Sequence, residues 1–171
     1  AEFTTQKEIG LEMSFFKNRL SFDFTLWQSV SDKQISAPRL SYATGAVLQY
    51  VNSGKIQSKG FELLLKGTPI KNKNFSWDVS ANLARSRGNI ISLPAGQDVF
   101  YLSDSWLFDN IRAQYAVGNS LSSFAGIDFQ RNNNGDLLIN PANGMPIKNT
   151  GFTYLGDRAP DIMIGLTNSF T

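Results

Sequence analysis

Five carboxylates, Glu8, Glu12, Asp23, Glu62 and Asp78, lie in stretches that alternate polar with apolar residues, which puts them on the polar side of strands. Two carboxylates held a few ångströms apart would suit glycoside hydrolysis, but nothing in this spacing asks for such a pair. The 171-residue chain contains no His and no Cys. Their absence removes the commonest general base near neutral pH, thiolate chemistry, disulfides and the usual nitrogen and sulfur metal ligands. The expectation is a protein that is not an enzyme and carries no cofactor. Oxygen ligation of calcium stays open at Asp128, Asn132, Asn134 and Asp136. However, no Gly falls at the sixth position of a loop begun at Asp128, and no Glu closes it. Asn134-Gly135 is itself a turn signal, and a turn is the simpler reading.

A second set of candidates is aromatic. Tyr101, Trp106, Phe108 and Tyr115 fall in a long, weakly patterned stretch, with Asp104, Asp109 and Arg112 between them. Flat rings beside polar groups suit sugar rings or peptide side chains. The competing reading is that the same rings pack the loop against itself. The net charge is +2 and the basic residues are scattered, so no nucleic acid is expected as a partner. Lys17, Arg19, Lys71 and Lys73 gather at short turns, as a solvated rim would.

The elements that must position these residues are strands. Ile9, Leu11, Met13 and Phe15 alternate with Glu8, Gly10, Glu12 and Ser14; Leu20, Phe22, Phe24 and Leu26 alternate with Ser21, Asp23, Thr25 and Trp27. A period of two is the mark of a strand with two different faces. The short link Lys17-Asn18-Arg19 can join only antiparallel neighbours. Ser29 to Gln34, with the segment around Pro38 and Gly45, reads as an irregular connection, and order returns near Ile56. A third strand follows from Phe61, then a polar turn from Thr68 to Asn74, then a fourth strand over Phe75 to Leu83. From about Gly88 to Pro160 the alternation dissolves, apart from short apolar pieces at Val99–Leu102 and Leu137–Ile139 that suit small strands. Ile162 to Phe170 forms a final strand.

Alternation alone leaves open what the apolar face meets, a protein core or lipid. A soluble β-sandwich that binds carbohydrate through its loops is one solution, and a membrane barrel is the other. The links run short, long, short, very long, so all short ones lie at one end of the strands. That asymmetry is expected of outer-membrane barrels and not of sandwiches. Strand lengths near nine residues or more agree, as do Phe15, Phe16, Trp27, Phe75 and Trp77 near the expected strand ends, where an interfacial girdle would sit. No apolar run approaches the roughly 20 residues of a membrane helix, which says nothing against strands.

Four stretches carry a resemblance. E-I-G-L-E-M-S-F-F-K-N-R-L-S-F-D-F-T-L-W (8–27), N-S-G-K-I-Q-S-K-G-F-E-L-L-L-K-G-T-P-I (52–70), N-F-S-W-D-V-S-A-N-L-A-R-S-R-G-N-I (74–90) and L-G-D-R-A-P-D-I-M-I-G-L-T-N-S-F (155–170) resemble, in the same order, the C-terminal half of SusC/RagA-type TonB-dependent transporters of Bacteroidetes. The resemblance implies an all-β, up-and-down transmembrane barrel with short periplasmic turns and long extracellular loops, in the bacterial outer membrane. It implies import of a large nutrient, a glycan or peptide. The partners would be a SusD-like surface lipoprotein, the TonB complex, and the lipid and lipopolysaccharide around the wall. Residues 1–171 would then be part of the barrel domain, with the plug and the remaining strands elsewhere, and 88–160 would be a long extracellular loop region. A TonB-independent barrel, an adhesin or assembly pore, is the rival within the membrane class.

Overall fold

A computed structural model describes residues 1–37, 41–94, 96–101 and 111–171. Among the described residues, nine strands form two antiparallel sheets. The larger has the order β1 (Phe3–Phe15), β2 (Leu20–Ser36), β3 (Val51–Lys71), β4 (Ser76–Ser92), β9 (Met163–Phe170). The smaller is β5 (Val99–Tyr101), β6 (Ile111–Ala116), β7 (Ser123–Gly126), β8 (Thr153–Asp157). Sequential strands pair with each other until the long excursion between β4 and β9, and both short turns lie at one end.

The register turns alternation into two chemically distinct faces. Leu11, Phe24, Leu63, Leu83 and Ile164 form one cross-strand row. The rows beside it are Ile9–Leu26–Phe61 and Met13–Phe22–Leu65–Ala81–Leu166. Phe24 sits 6.3 Å from Phe22 and 6.4 Å from Phe61, centroid to centroid. No second sheet covers this face among the described residues, since the element contacts are all between hydrogen-bonded neighbours. From Ile70 to Phe61 the outward side of β3 stays free of charge. At about 3.3 Å per residue and a tilt near 40°, that segment spans roughly 20–25 Å, the height of a barrel's apolar band. The opposite face carries Glu8, Glu12, Asp23, Glu62 and Asp78, with Glu12 directly opposite Asp23. All five carboxylates therefore share one side, as alternation requires.

The turns follow from local chemistry. Phe16, Lys17 and Asn18 adopt φ of 54°, 57° and 66° in succession, closing β1 onto β2, and the Arg19 amide donates to the Phe15 carbonyl. Left-handed backbone matches the twist of the strands it joins. At the other short turn, Pro69 lies in the bulge where the β3–β4 register shifts between Gly67 and Ile70. There its missing N–H costs the ladder nothing. Phe75 and Trp77 stack on Phe170 at 6.3 and 6.0 Å, and the Trp77 indole donates to Asn168 at 3.1 Å. With Phe15 and Phe16 these rings form an aromatic belt at the short-turn end.

Several boundaries differ from those read in the sequence. Ser29–Gln34 is not a connection: β2 runs through it to Ser36, with a bulge at Asp32-Lys33 where Lys33 has φ 55°. A bulge breaks the period of two and hides a continuing strand from pattern reading. β3 begins at Val51 and β4 extends to Ser92, past Gly88. The polar turn contracts to the residues around Asn72–Phe75, because β3 keeps pairing as far as Lys71. Trp27 is the one expected girdle residue displaced. β2 continues beyond it, so it lies mid-strand on the polar face over Gly60, where a Cβ would come within 2.8 Å of the indole. Val99–Tyr101 does form a strand, while Leu137 and Ile139 make isolated bridges to Arg131 and Pro146. Pro38 and Leu102 lie outside the described residues.

The row through Phe24 is the middle of the apolar band. Phe24→Arg is expected to cost about 2–4 kcal/mol of folding free energy in a bilayer, and Asp23→Arg far less. Equilibrium unfolding in lipid measures both, and equal costs would mean that the two faces are assigned the wrong way round.

Candidate functional site

Above Ala84, where pairing with β9 stops, β4 offers a free edge that the returning loop occupies. The Ile90 amide donates to the Asn119 carbonyl, the Gly118 amide to Ile90, and the Leu121 amide to Gly88, each at 2.9 Å. Leu121 then lies over Gly88, where any Cβ would collide with its Cδ1. This docking fixes the small sheet at the long-loop end of the strands. Ser123 is fully buried there and its hydroxyl donates to the Gln114 carbonyl at 3.0 Å.

Pairing of β5 with β6 divides the candidate residues between two sides. Phe100 is opposite Tyr115, and their rings are 6.5 Å apart. They line a cavity of about 210 Å³ closed by Ile56 and Ile90 of the carboxylate-bearing face. Ser36 Oγ and Gln97 Oε1 are buried beside it without a hydrogen bond among the described residues. Tyr101 lies on the other side. The Arg112 guanidinium stands 5.4 Å from its ring centroid and 5.1 Å from that of Phe152, and the two rings are 5.7 Å apart. The three groups form a triangle, the cation set beside a tilted ring pair, where the ring quadrupoles attract it. Tyr101 and Arg112 are thus brought together with Phe152, which the sequence pattern did not single out, whereas Tyr115 is separated from them. Trp106, Phe108, Asp104 and Asp109 lie outside the described residues.

The Asn-rich run is a stapled turn. Asn132 Oδ1 accepts the amides of Asn134 and Asp136 at 2.9 Å, and its Nδ2 donates to Asp136 Oδ2 at 3.0 Å. Gly135, at φ 89°, closes it. Asp128 Oδ1 accepts the neighbouring Phe129 amide at 2.7 Å. The side chains of Asn132 and Asp136 point at the loop's own donors.

A charged hub ties this sheet to the wall. Arg87 of β4 donates to Asp157 Oδ2 at 3.0 Å and also to Asp161. The second oxygen of Asp157 accepts the Ser122 hydroxyl at 2.5 Å and the Ala159 amide at 2.9 Å. Burial would raise the pKa of Asp157, but hydrogen bonds from Ser122, Ser120 and the Ala159 amide, with the Arg87 guanidinium, overcome it and hold the carboxyl at about 2. Sequence reading missed Arg87, Ser122, Asp157 and Asp161 as a unit. The available signal was an arginine on the outward period of β4 and a G-D-R-A-P-D turn dense in carboxylates.

This is a transmembrane barrel wall: long two-faced strands with short turns at one end and a folded loop sheet at the other. The family model for the "TonB dependent receptor-like, beta-barrel" matches residues 1–165, and the chain belongs to that family. Its strands cross the bacterial outer membrane, with short periplasmic turns and long extracellular loops. The chain is 25% identical to TonB-dependent receptor P3 of Formosa agariphila, across 98% of this chain and 19% of that protein. It is likewise 25% identical to TonB-dependent receptor SusC of Bacteroides thetaiotaomicron, across 98% of this chain and 18% of that one. In fold it matches a structure of the RagAB peptide transporter with a TM-score of 0.76, at 22% identity, over 99% of this chain and 20% of that one. The chain spans about a fifth of the length of these relatives.

Acid should loosen the hub. Because the folded pKa of Asp157 lies below its ordinary 3.8, the stabilisation is complete above that value and is lost as pH falls through about 2. Protection of the amides of 118–123, taken relative to their unstructured exchange rates at each pH, is expected to fall between pH 4 and 2. In Asp157→Asn they should exchange fast already at pH 7, with about 1.5–3 kcal/mol of charge-assisted bonding gone. An acid response in the variant as large as in the parent would remove Asp157 from this role.

Proposed function

We propose that this chain forms part of the barrel wall of a TonB-coupled receptor that imports a large nutrient, a glycan or a peptide. It acts in binding and passage, not as an enzyme. The neighbours of β1 and β9 come from the rest of the protein, as does the plug, since both strands present unpaired edges that lipid does not tolerate. Residues 88–160 form the extracellular mouth, where a SusD-like lipoprotein meets the barrel. The observation that carries the reading is the loop sheet itself. It is docked on the free edge of β4 and bears the Tyr101–Arg112–Phe152 cluster on one side and a small cavity over the carboxylate-bearing face on the other.

Two kinds of contact follow. Tyr101 and Phe152, beside Arg112, offer ring faces and a cation to a sugar or peptide, and Trp106, Phe108 and Asp104 are further candidates for contact with the same ligand. Tyr115, Gln97 and Ser36 bound a pocket whose unmatched polar atoms would be satisfied by hydroxyls or amides of a ligand. Asp128, Asn132, Asn134 and Asp136 serve to staple a turn.

The test uses the full-length receptor in its own outer membrane with its lipoprotein partner. Growth on the imported nutrient should stop when the proton gradient that drives TonB is dissipated. Arg112→Ala with Tyr101→Ala should weaken ligand retention about tenfold while barrel assembly, read from heat-dependent mobility, stays intact. Import that persists without the gradient would leave a TonB-independent pore. Unchanged retention in the double variant would reduce the Tyr101–Arg112–Phe152 cluster to loop packing.

A further inference from the structure

Charges on the wall are sorted by face. Glu8, Glu12, Asp23, Glu62 and Asp78 look one way, while on the outward face, from the short turns up to the row of Ile9, no carboxylate occurs among the described residues; above it Asp157 and Asp161 reach Arg87, and Asp32 stands higher up, opposite Phe3. Immediately above the apolar rows the outward side chains change abruptly. The row Ile9–Leu26–Phe61 ends on Arg85, and the next row is Lys7–Gln28–Lys59–Arg87. Lys55 lies further up the same face of β3. Arg87 is occupied by Asp157 and Asp161. Lys7, Lys59 and Arg85 are exposed and have no carboxylate partner among the described residues. They rim a depression of about 640 Å³ whose floor is Ile9, Leu26 and Phe61. A second hollow of about 440 Å³ continues from it past Lys7 to Lys55, and Asp32 and Lys33 also line it.

Exposed cations directly above an apolar floor, on a surface that faces lipid, are complementary to an amphiphile with an anionic headgroup at that depth. The row stands at the long-loop end of the band, which is the outer leaflet. We propose that Lys7, Lys59 and Arg85 form a binding site for the phosphorylated saccharide headgroup of lipopolysaccharide, its acyl chains lying on the Ile9–Leu26–Phe61 floor. The long stems of the two lysines and of Arg85 run over apolar surface and deliver charge at the interface. Gln28 adds an amide donor between Lys7 and Lys59. The site depends on the orientation of the wall in the membrane and not on what the barrel carries, so its failure would leave the import reading untouched.

The experiment measures lipid retention by the full-length receptor in detergent, by native mass spectrometry, with three probes: phosphorylated lipid A, the same lipid dephosphorylated, and phosphatidylglycerol. Phosphorylated lipid A should be held at least tenfold more tightly than either of the others, with a preference that falls as salt rises. Each cation removed should cost roughly fivefold. Lys59→Gln alone should therefore weaken retention by that factor, and the triple change Lys7→Gln, Lys59→Gln, Arg85→Gln should abolish the preference. Lys66→Gln, on the other face, should leave it unchanged. Equal retention of the two forms of lipid A, phosphatidylglycerol held as tightly as phosphorylated lipid A, or an undiminished preference in the triple variant would each overturn the site.

Discussion

Backbone hydrogen bonding in a medium without water is the constraint from which the rest follows. An unpaired N–H or C=O in hydrocarbon costs several kcal/mol, so each membrane-spanning residue must be matched by a neighbouring strand. The ladder of β1 to β4 meets this by length. β1 and β2 pair continuously over thirteen registered positions from Phe3–Asp32 to Phe15–Leu20. The β2–β3 register shifts only near the bulge at Asp32-Lys33, and the β3–β4 register only near its two ends. Irregularity is confined to places where water or another segment can reach the backbone. Even the edge that β4 exposes above Ala84 does not stay open, because residues 118–121 take the place that β9 leaves.

Once the ladder is fixed, the side chains have no freedom about which face they serve. That is why five carboxylates from four strands share one surface although they are scattered in sequence, and why the outward surface is apolar until it becomes basic. Burial of a core plays little part: among the described residues the buried apolar side chains are Ile90, Ala116 and Ala125, all at the mouth. The wall relies on lipid for its apolar contacts, and only the loop sheet, which stands in water, has an interior of its own.

The period of two made the wall legible. Every strand of the larger sheet was visible in the sequence, and so was the shared side of Glu8, Glu12, Asp23, Glu62 and Asp78. What escaped did so for identifiable reasons. The bulge at Asp32-Lys33 shifted the pattern by one residue and disguised the upper part of β2 as a loop. Trp27 then seemed terminal when it is central. β6, β7 and β8 span four to six residues each, too few for a periodic signal, and β7 finds β8 only across the long Asn-rich stretch. The Arg87–Asp157–Asp161 hub joins residues some seventy positions apart, and no local pattern announces such a pairing.

The hub also explains how a wall built for lipid can carry an ordered mouth. A long excursion from a barrel strand faces a large entropy cost if it is to hold one shape, and few apolar contacts are available to offset it. Here the cost is met at its two ends. Near the beginning, Leu121 and its neighbours borrow the free edge of β4, a site that sterically demands Gly88. Near its end, the descending turn is drawn to Arg87, one residue below Gly88 on the same strand. Both attachments fall on β4, so one strand anchors the loop sheet at both places. The Tyr101–Arg112–Phe152 cluster and the Tyr115 cavity are therefore positioned from the wall itself, on the strand whose lower half is fastened by the Trp77–Phe170 belt.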